Sequence, residues 1–342
     1  MSLGRPAFQT LDLHDVRLPP LLGNITNINH HRPMYLPISN WFYDTYEICD
    51  HLCPAGSPER CVERHVIKLD SDQRQFVIEA CPMSKLHHRT HQAEMLHELQ
   101  TNHCPKLAPW LMTRSNEWGA ESGELFWQLR PWIDGNDLPR DTYGNDAWRG
   151  DVMADFLVSL KKSSADIHCH VTPFSICEYI RALLPRIREK NPALLDDLLP
   201  IWQELDEFSR AETTLPIDFC HGDFHPNNVL WGDGQLNGVI DWEFSGHKVA
   251  GYDVATLLGC LGMDNPEFLT ADMTFAFLNK LKANDFHPDI VWHWLPDYIA
   301  ATRFAWMREW CWSNNKELII QELDFLWLIL DNRDFLRSRW KL

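Results

Sequence analysis

No stretch of the chain approaches the ~18 consecutive apolar residues that a membrane-crossing helix needs, so no spanning helix is expected. Positive charge is scarce as well: 31 Lys and Arg against 48 Asp and Glu leave a net charge of −17. That deficit argues against nucleic acid as a partner, because backbone phosphates are held by clustered Lys and Arg. A cationic ligand is easier to accommodate, although solubility alone explains an acidic balance equally well. No apolar signal-like segment follows the polar start Met1-Ser2-Leu3-Gly4-Arg5, and the 10 Cys are scattered, so reduced thiols in a cytoplasm are expected. The chain has no G-x-x-x-x-G-K-[ST] phosphate loop, which removes that class of nucleotide enzyme, and no G-x-S-x-G nucleophile elbow. Cys49-x-x-x-Cys53 around His51, and His168-Cys169-His170, lack a second pair at zinc-site spacing, so structural zinc is not expected. Internal repeats are missing too.

What is present suffices for a sizeable core and two domains: 342 residues, 45% of them apolar. Residues 1–64 carry little legible pattern beyond repeated Pro and an aromatic cluster at Trp41-Phe42-Tyr43. From Val66 the pattern clears. Val66-Ile67-Lys68-Leu69, a turn at Asp70-Ser71-Asp72 and Gln75-Phe76-Val77-Ile78-Glu79 predict a β-hairpin. A helix follows, with Ser84 as its cap and Leu86, Ala93, Leu96 and Leu99 on one face. Trp110-Leu111-Met112 and Leu125 to Leu129 predict two further strands that complete a small antiparallel sheet. Beyond residue 138 the pattern is helical, with apolar faces through Val152 to Leu160, Ile180 to Phe208 and Trp292 to Trp340.

Polar residues of chemical interest gather in Phe219-Cys220-His221-Gly222-Asp223-Phe224-His225-Pro226-Asn227-Asn228, followed by Gly238-Val239-Ile240-Asp241-Trp242-Glu243. Val229-Leu230-Trp231 and Val239-Ile240 read as strands around the turn Gly232-Asp233-Gly234. This hairpin brings Asn228 and Asp241 close together, with Asp223 on the loop before it, and so offers the oxygen donors that Mg²⁺ prefers. Gly232, Gly234 and Gly238 miss the dinucleotide-fingerprint spacing and are read as turn residues.

His-Gly-Asp-x-His-Pro-x-Asn followed by Ile-Asp-Trp-Glu resembles the aminoglycoside phosphotransferase and choline kinase family. The resemblance implies an α+β, two-lobed, protein-kinase-like fold. Residues 1–130 would form the nucleotide lobe, 131–138 the hinge, and 139–342 the catalytic and substrate lobe. It implies transfer of the γ-phosphoryl group of ATP or GTP to a hydroxyl of a small molecule, with Asp223 as base or orienter, Asn228 and Asp241 holding Mg²⁺, and His221 supporting the loop. Asp253, in Tyr252-Asp253-Val254-Ala255, matches an Asp that braces that loop. Backbone near Gln128 to Arg130 is expected to meet the base of the nucleotide. His225, Glu243 and Trp310 are candidate acceptor contacts, beside an aromatic and acidic C-terminal segment that suits a compact amine. Oligomeric state is left open.

Two departures stand beside the likeness. Where the family carries a phosphate-binding Lys or Arg on the third strand, this chain has Glu79, and Gln92 falls where that cation's Glu partner is usual. Lys68 or Lys85 is the expected substitute, and no glycine-rich loop over the phosphates is evident. A non-catalytic binding protein with the same fold is therefore a rival reading, and a metal-dependent hydrolase is a second.

Overall fold

The computed structural model describes residues 36–52, 61–167 and 172–342. Cys53 and His168-Cys169-His170 lie outside these, as does most of the first 64 residues. Five strands form one antiparallel sheet: β1 (Tyr46–His51), β2 (Glu63–Leu69), β3 (Gln75–Pro82), β4 (Ala120–Ser122) and β5 (Leu125–Pro131), in the order β1-β2-β3-β5-β4. The expected hairpin is β2–β3, with Val66 opposite Val77 and Arg64 opposite Glu79.

Strand alternation gives the sheet two unlike faces. Ile67, Leu69, Phe76, Ile78, Trp127 and Leu129 pack against Leu36, Ile38 and Trp41 in a small core of their own. The opposite face carries Arg64, Glu79, Gln128 and Arg130. Three sequence readings change here. β1 falls in the stretch that carried no legible pattern. Trp110-Leu111-Met112 is no strand: Leu111 N–H reaches Leu129 O (2.8 Å), but the chain then turns at Thr113–Asn116, and β4 takes the place beside β5. Ser84 does not cap the helix either, because it sits in a short 3₁₀ turn, Met83–Lys85, ahead of α1 (Leu86–Thr101).

After β5 the chain is mainly helical. α2 (Ala147–Ser163), α3 (Ile176–Lys190), α4 (Pro192–Glu204) and α5 (Asp206–Ala211) come first. The single run expected from Ile180 to Phe208 is broken where the Asn191 side chain accepts Leu194 N–H (3.2 Å) and Pro192 opens α4. Two small ladders follow, β6 (Ile217–Cys220) with β9 (Gly246–Val249), and β7 (Val229–Gly232) with β8 (Gln235–Val239). The rest is α6 (Tyr252–Asp264), α7 (Asp272–Ala283), α8 (Asp289–His293), α9 (Leu295–Ser313), α10 (Lys316–Asp331) and α11 (Arg333–Trp340). These helices enclose the larger core, into which Phe224, Trp231 and Trp242 project from around the two ladders to meet Phe156 of α2. Among the described residues no helix is long and apolar enough to cross a membrane.

Candidate active site

β6 delivers the chain into a tight loop, His221-Gly222-Asp223. Gly222 has φ +86°, and a Cβ there would stand 2.1 Å from Phe244 O, so the turn admits no side chain. Asp253, near the start of α6, closes the loop from below by accepting His221 N–H (2.7 Å) and Gly222 N–H (2.8 Å). Burial pushes the Asp253 carboxyl up to about 6, against the pull of those two N–H groups. His221 is fully buried. Its Nε2 donates to Ile240 O (2.9 Å) and its Nδ1 accepts Asp223 N–H (3.2 Å), which fixes one neutral tautomer. Burial lowers its pKa to about 4. With both nitrogens engaged, His221 is a brace for the loop rather than a base.

Asp223 receives Asn228 Nδ2 on its carboxylate (3.0 Å) and on its main-chain oxygen (2.9 Å), and His225 Nε2 stands 3.5 Å from the same carboxylate. Burial alone would raise the Asp223 pKa. The His225 hydrogen bond and charge, His221 and the Asn228 amide outweigh it and hold the group below the usual range. Asn228 ends a 3₁₀ turn, Pro226–Asn228, that leads into β7, and Ile240 N–H donates to Asn228 O (2.9 Å). The hairpin thus brings Asn228 up to the residue that precedes Asp241. Asp241 adopts a left-handed conformation, φ 66° and ψ 60°, which Asp tolerates better than most side chains and which marks a locally constrained position.

These donors fit a hard cation. Because Asn228 gives its amide nitrogen to Asp223, its Oδ1 is the atom that could meet a metal, with the Asp241 carboxylate as the other donor expected of the hairpin. Among the described residues no three His, Cys, Asp or Glu gather as a metal cage. Mg²⁺ does not need one, since one or two carboxylates plus substrate phosphates complete its shell.

Glu79 is buried in the sheet face above, and its surroundings differ from expectation. It is not a lone acid: Arg64 Nε lies 2.9 Å from one oxygen and Arg89 Nη1, from α1, 3.0 Å from the other. Gln92 is not its partner; that side chain is buried one turn further along α1, with Oε1 lacking a hydrogen bond. Lys68 stands apart from this cluster. It lies four residues from Arg64, roughly 13 Å along β2, and pairs with Glu47 (3.5 Å). Gln128 and Arg130 also need correcting as main-chain contacts for a base. Leu129 O accepts Leu111 N–H, so strand alternation commits the main-chain groups of Gln128 and Arg130 to β3. The Gln128 side chain instead donates to Trp118 O (3.1 Å) and Arg89 O (3.4 Å), tying β5 to α1.

On the other side of Asp223 lies an aromatic row. His225 meets Trp306 edge-on (6.3 Å between centroids), and Trp306 stacks on Trp310 (5.9 Å, 26°). Trp310 Nε1 donates to Glu322 (3.0 Å), which is fully buried and held by Arg303. The charge of Glu243 acts on Arg89 and its main chain on His88, which places it near α1. Sequence reasoning missed Arg64, Arg89 and Lys248. Extending the β2–β3 register would have placed Arg64 opposite Glu79. Lys248 is buried between Phe174 and Tyr252 at 4.8 and 5.1 Å, packed against Gly222, and no motif announces it.

Residues 63–294 match the model of the phosphotransferase enzyme family. A homoserine kinase of Gluconacetobacter diazotrophicus is 28% identical over 132 residues, 38% of this chain and 39% of the relative. Another, from Bradyrhizobium sp., is 36% identical over 77 residues, 22% and 24% of the two chains. The alignments thus span well under half the length of these curated relatives. Among solved structures, an aminoglycoside phosphotransferase of Alicyclobacillus acidocaldarius superposes with a TM-score of 0.62 at 15% identity, covering 91% of this chain and 97% of that one. A microcompartment-associated aminopropanol kinase superposes with a TM-score of 0.55 at 11% identity, covering 89% and 96%. The fold is therefore the kinase-like one, sheet first and helices after. With more than half its length matched by the family model, the chain belongs to the phosphotransferase enzyme family.

Proposed function

We propose that this chain is a small-molecule kinase that moves the γ-phosphoryl group of ATP or GTP onto a hydroxyl of an amine-bearing acceptor. The observation that carries the reading is the triad of Asp223, Asn228 and Asp241. The Asn228 amide binds the ionised Asp223 carboxylate, and the main-chain bond from Ile240 to Asn228 brings the residue before Asp241 up to the same loop. Phosphoryl transfer asks little covalent chemistry of a protein and much positioning. Asp223, kept ionised by His225 and Asn228, would orient the acceptor hydroxyl and take its proton late in the transfer. Asn228 and Asp241 would hold Mg²⁺, which when bound neutralises charge on the phosphates. His221 and Asp253 fix the loop and touch no reacting atom. The nucleotide would lie between a lobe of residues 1–130 and a lobe of 139–342, joined at 131–138.

The acceptor side is supported by the row His225, Trp306 and Trp310, an aromatic wall of the kind that favours a cation. Homoserine, aminopropanol and aminoglycosides, named in the similar proteins, each carry an amine and a hydroxyl. Incubating the chain with Mg²⁺, ATP or GTP and a panel of small hydroxylated compounds, with mass detection of the products, tests the reading. A product heavier by one phosphoryl group supports it. Nucleotide binding without any phosphorylated product across the panel favours the rival, a binding protein with this fold.

A further inference from the structure

The sheet face above the triad carries an unusual arrangement of charge in a chain so rich in acid. Arg64 from β2 and Arg89 from α1 clasp the buried Glu79 from either side, and Arg130 from β5 lies on the same face, next but one to the residue opposite Glu79. Trp110 lies beneath two of the three, 6.0 Å from the Arg89 guanidinium and 5.7 Å from that of Arg130. Glu79 holds an ionised carboxylate despite full burial, because Arg64, Arg89 and Arg130 outweigh the desolvation that would raise its pKa. Among the described residues no carboxylate stands within ion-pair distance of Arg130. Burial lowers its pKa, and Arg64 and Arg89 press the same way against the attraction of Glu79 and Asp241. Arg64 likewise feels Asp241 after Glu79. Both guanidinium charges thus act on Asp241, the carboxylate proposed as a metal ligand.

Resting on the kinase reading above, we infer that Arg64 and Arg130 receive the α- and β-phosphates of the nucleotide, held in place by Glu79 and Arg89. The usual polarity is inverted. The strand supplies the anion and the neighbouring strands and helix supply the cations, so Glu79 is an anchor for arginines rather than a repulsive wall against phosphate. Burying a carboxylate is tolerable only when paired, and two guanidinium partners with a third nearby supply that pairing with positive charge to spare. Guanidinium groups suit this task, since their fixed fork matches phosphate oxygens and they stay charged when buried. Glu79 and Arg89 are positioning residues here; Arg64 and Arg130 are the contacts.

A purely structural ion-pair network makes a different demand from a phosphate site, and calorimetry with adenosine, AMP and ADP separates the two. Wild type is expected to bind ADP at least tenfold more tightly than adenosine. Arg64→Gln should erase most of that preference while leaving adenosine affinity within about twofold, and Arg64→Lys should restore part of it. Arg130→Gln is the second variant, read by the same ratio, should Arg64→Gln not fold. Glu79→Lys should weaken ADP at least tenfold, because it sets a fourth cation among three and releases both clasping arginines. An unchanged ADP-to-adenosine ratio in folded Arg64→Gln and Arg130→Gln, or tighter ADP binding by Glu79→Lys, overturns the inference and leaves the kinase reading standing. Wild type that binds none of the three, nor guanosine, GMP or GDP, overturns both.

Discussion

His221, in the loop around Asp223, and Asp253, which braces that loop from α6, are buried ionisable groups whose environments pull in opposite senses. Burial holds His221 neutral with a pKa near 4, against an ordinary value of 6.5. A group whose folded pKa is depressed contributes stability that is present above 6.5 and lost as pH falls from there towards 4. At most this amounts to about 3 kcal/mol. Asp253, raised to about 6, titrates in the contrary sense over part of the same interval, costing stability as pH rises. The readout is therefore the difference between wild type and His221→Gln in urea unfolding, compared at pH 7 and pH 5. The stability advantage of wild type should shrink towards pH 5; an advantage that stays constant or grows would show that His221 is not held neutral. Asp253 came only from the family resemblance, whereas His221 beside Asp223 was legible from the spacing of a tight loop. Arg64 and Arg89 were not, since each acts through a partner on another element and a motif search sees one element at a time.

Among the elements, α2 and α7 pack so closely that Gly150 is required: a Cβ there would lie 2.0 Å from Met273 O. Helix propensity alone favours Ala over Gly by about 1 kcal/mol. Steric conflict with backbone that cannot move aside wins, and Gly150→Ala is expected to destabilise by about 1–3 kcal/mol, measured as a lower midpoint in denaturant. A stabilised variant would mean that the two helices are further apart than described. The element pattern explains what the sequence disclosed. β2, β3 and the β7–β8 hairpin are apolar runs around recognisable turns, so their existence was readable, although β8 is Gln235–Val239 where Val239-Ile240 was expected. β1 and β4 were not readable: β1 has no fully buried residue and packs only Tyr46 and Ile48 on the small core, and β4 has only three residues, so neither leaves a long period to detect. The helical run through 180–208 concealed a break, because Asn191-Pro192 interrupts the helix without interrupting the apolar stripe.

At the scale of the whole molecule, an acidic chain concentrates arginine on the sheet face and aromatic rings on the far side of Asp223. Under the proposed function the phosphates would meet the arginines and an organic cation would meet the rings. Glu322 adds no free carboxylate to the acceptor side, being held by Arg303 and Trp310, so the attraction for an amine rests on the rings and on the general acidity of the chain. Amine-bearing acceptors should therefore have specificity constants about fivefold or more above those of their N-acetylated analogues, consistent with a cation–π contribution of about 1 kcal/mol. Steady-state comparison of matched pairs decides it, and equal constants would remove the aromatic wall from the acceptor site. Trp306→Leu should narrow the gap between the two members of a pair.

The most direct measurement is acceptor-stimulated release of nucleoside diphosphate in the presence of Mg²⁺, made side by side on wild type and Asp223→Ala. If Asp223 orients the hydroxyl and accepts its proton, wild type turns over with acceptor present, and the variant falls by about a hundredfold or more while still binding nucleotide with unchanged affinity. Equal acceptor-stimulated turnover by the two proteins would refute the assignment of this loop as the catalytic centre.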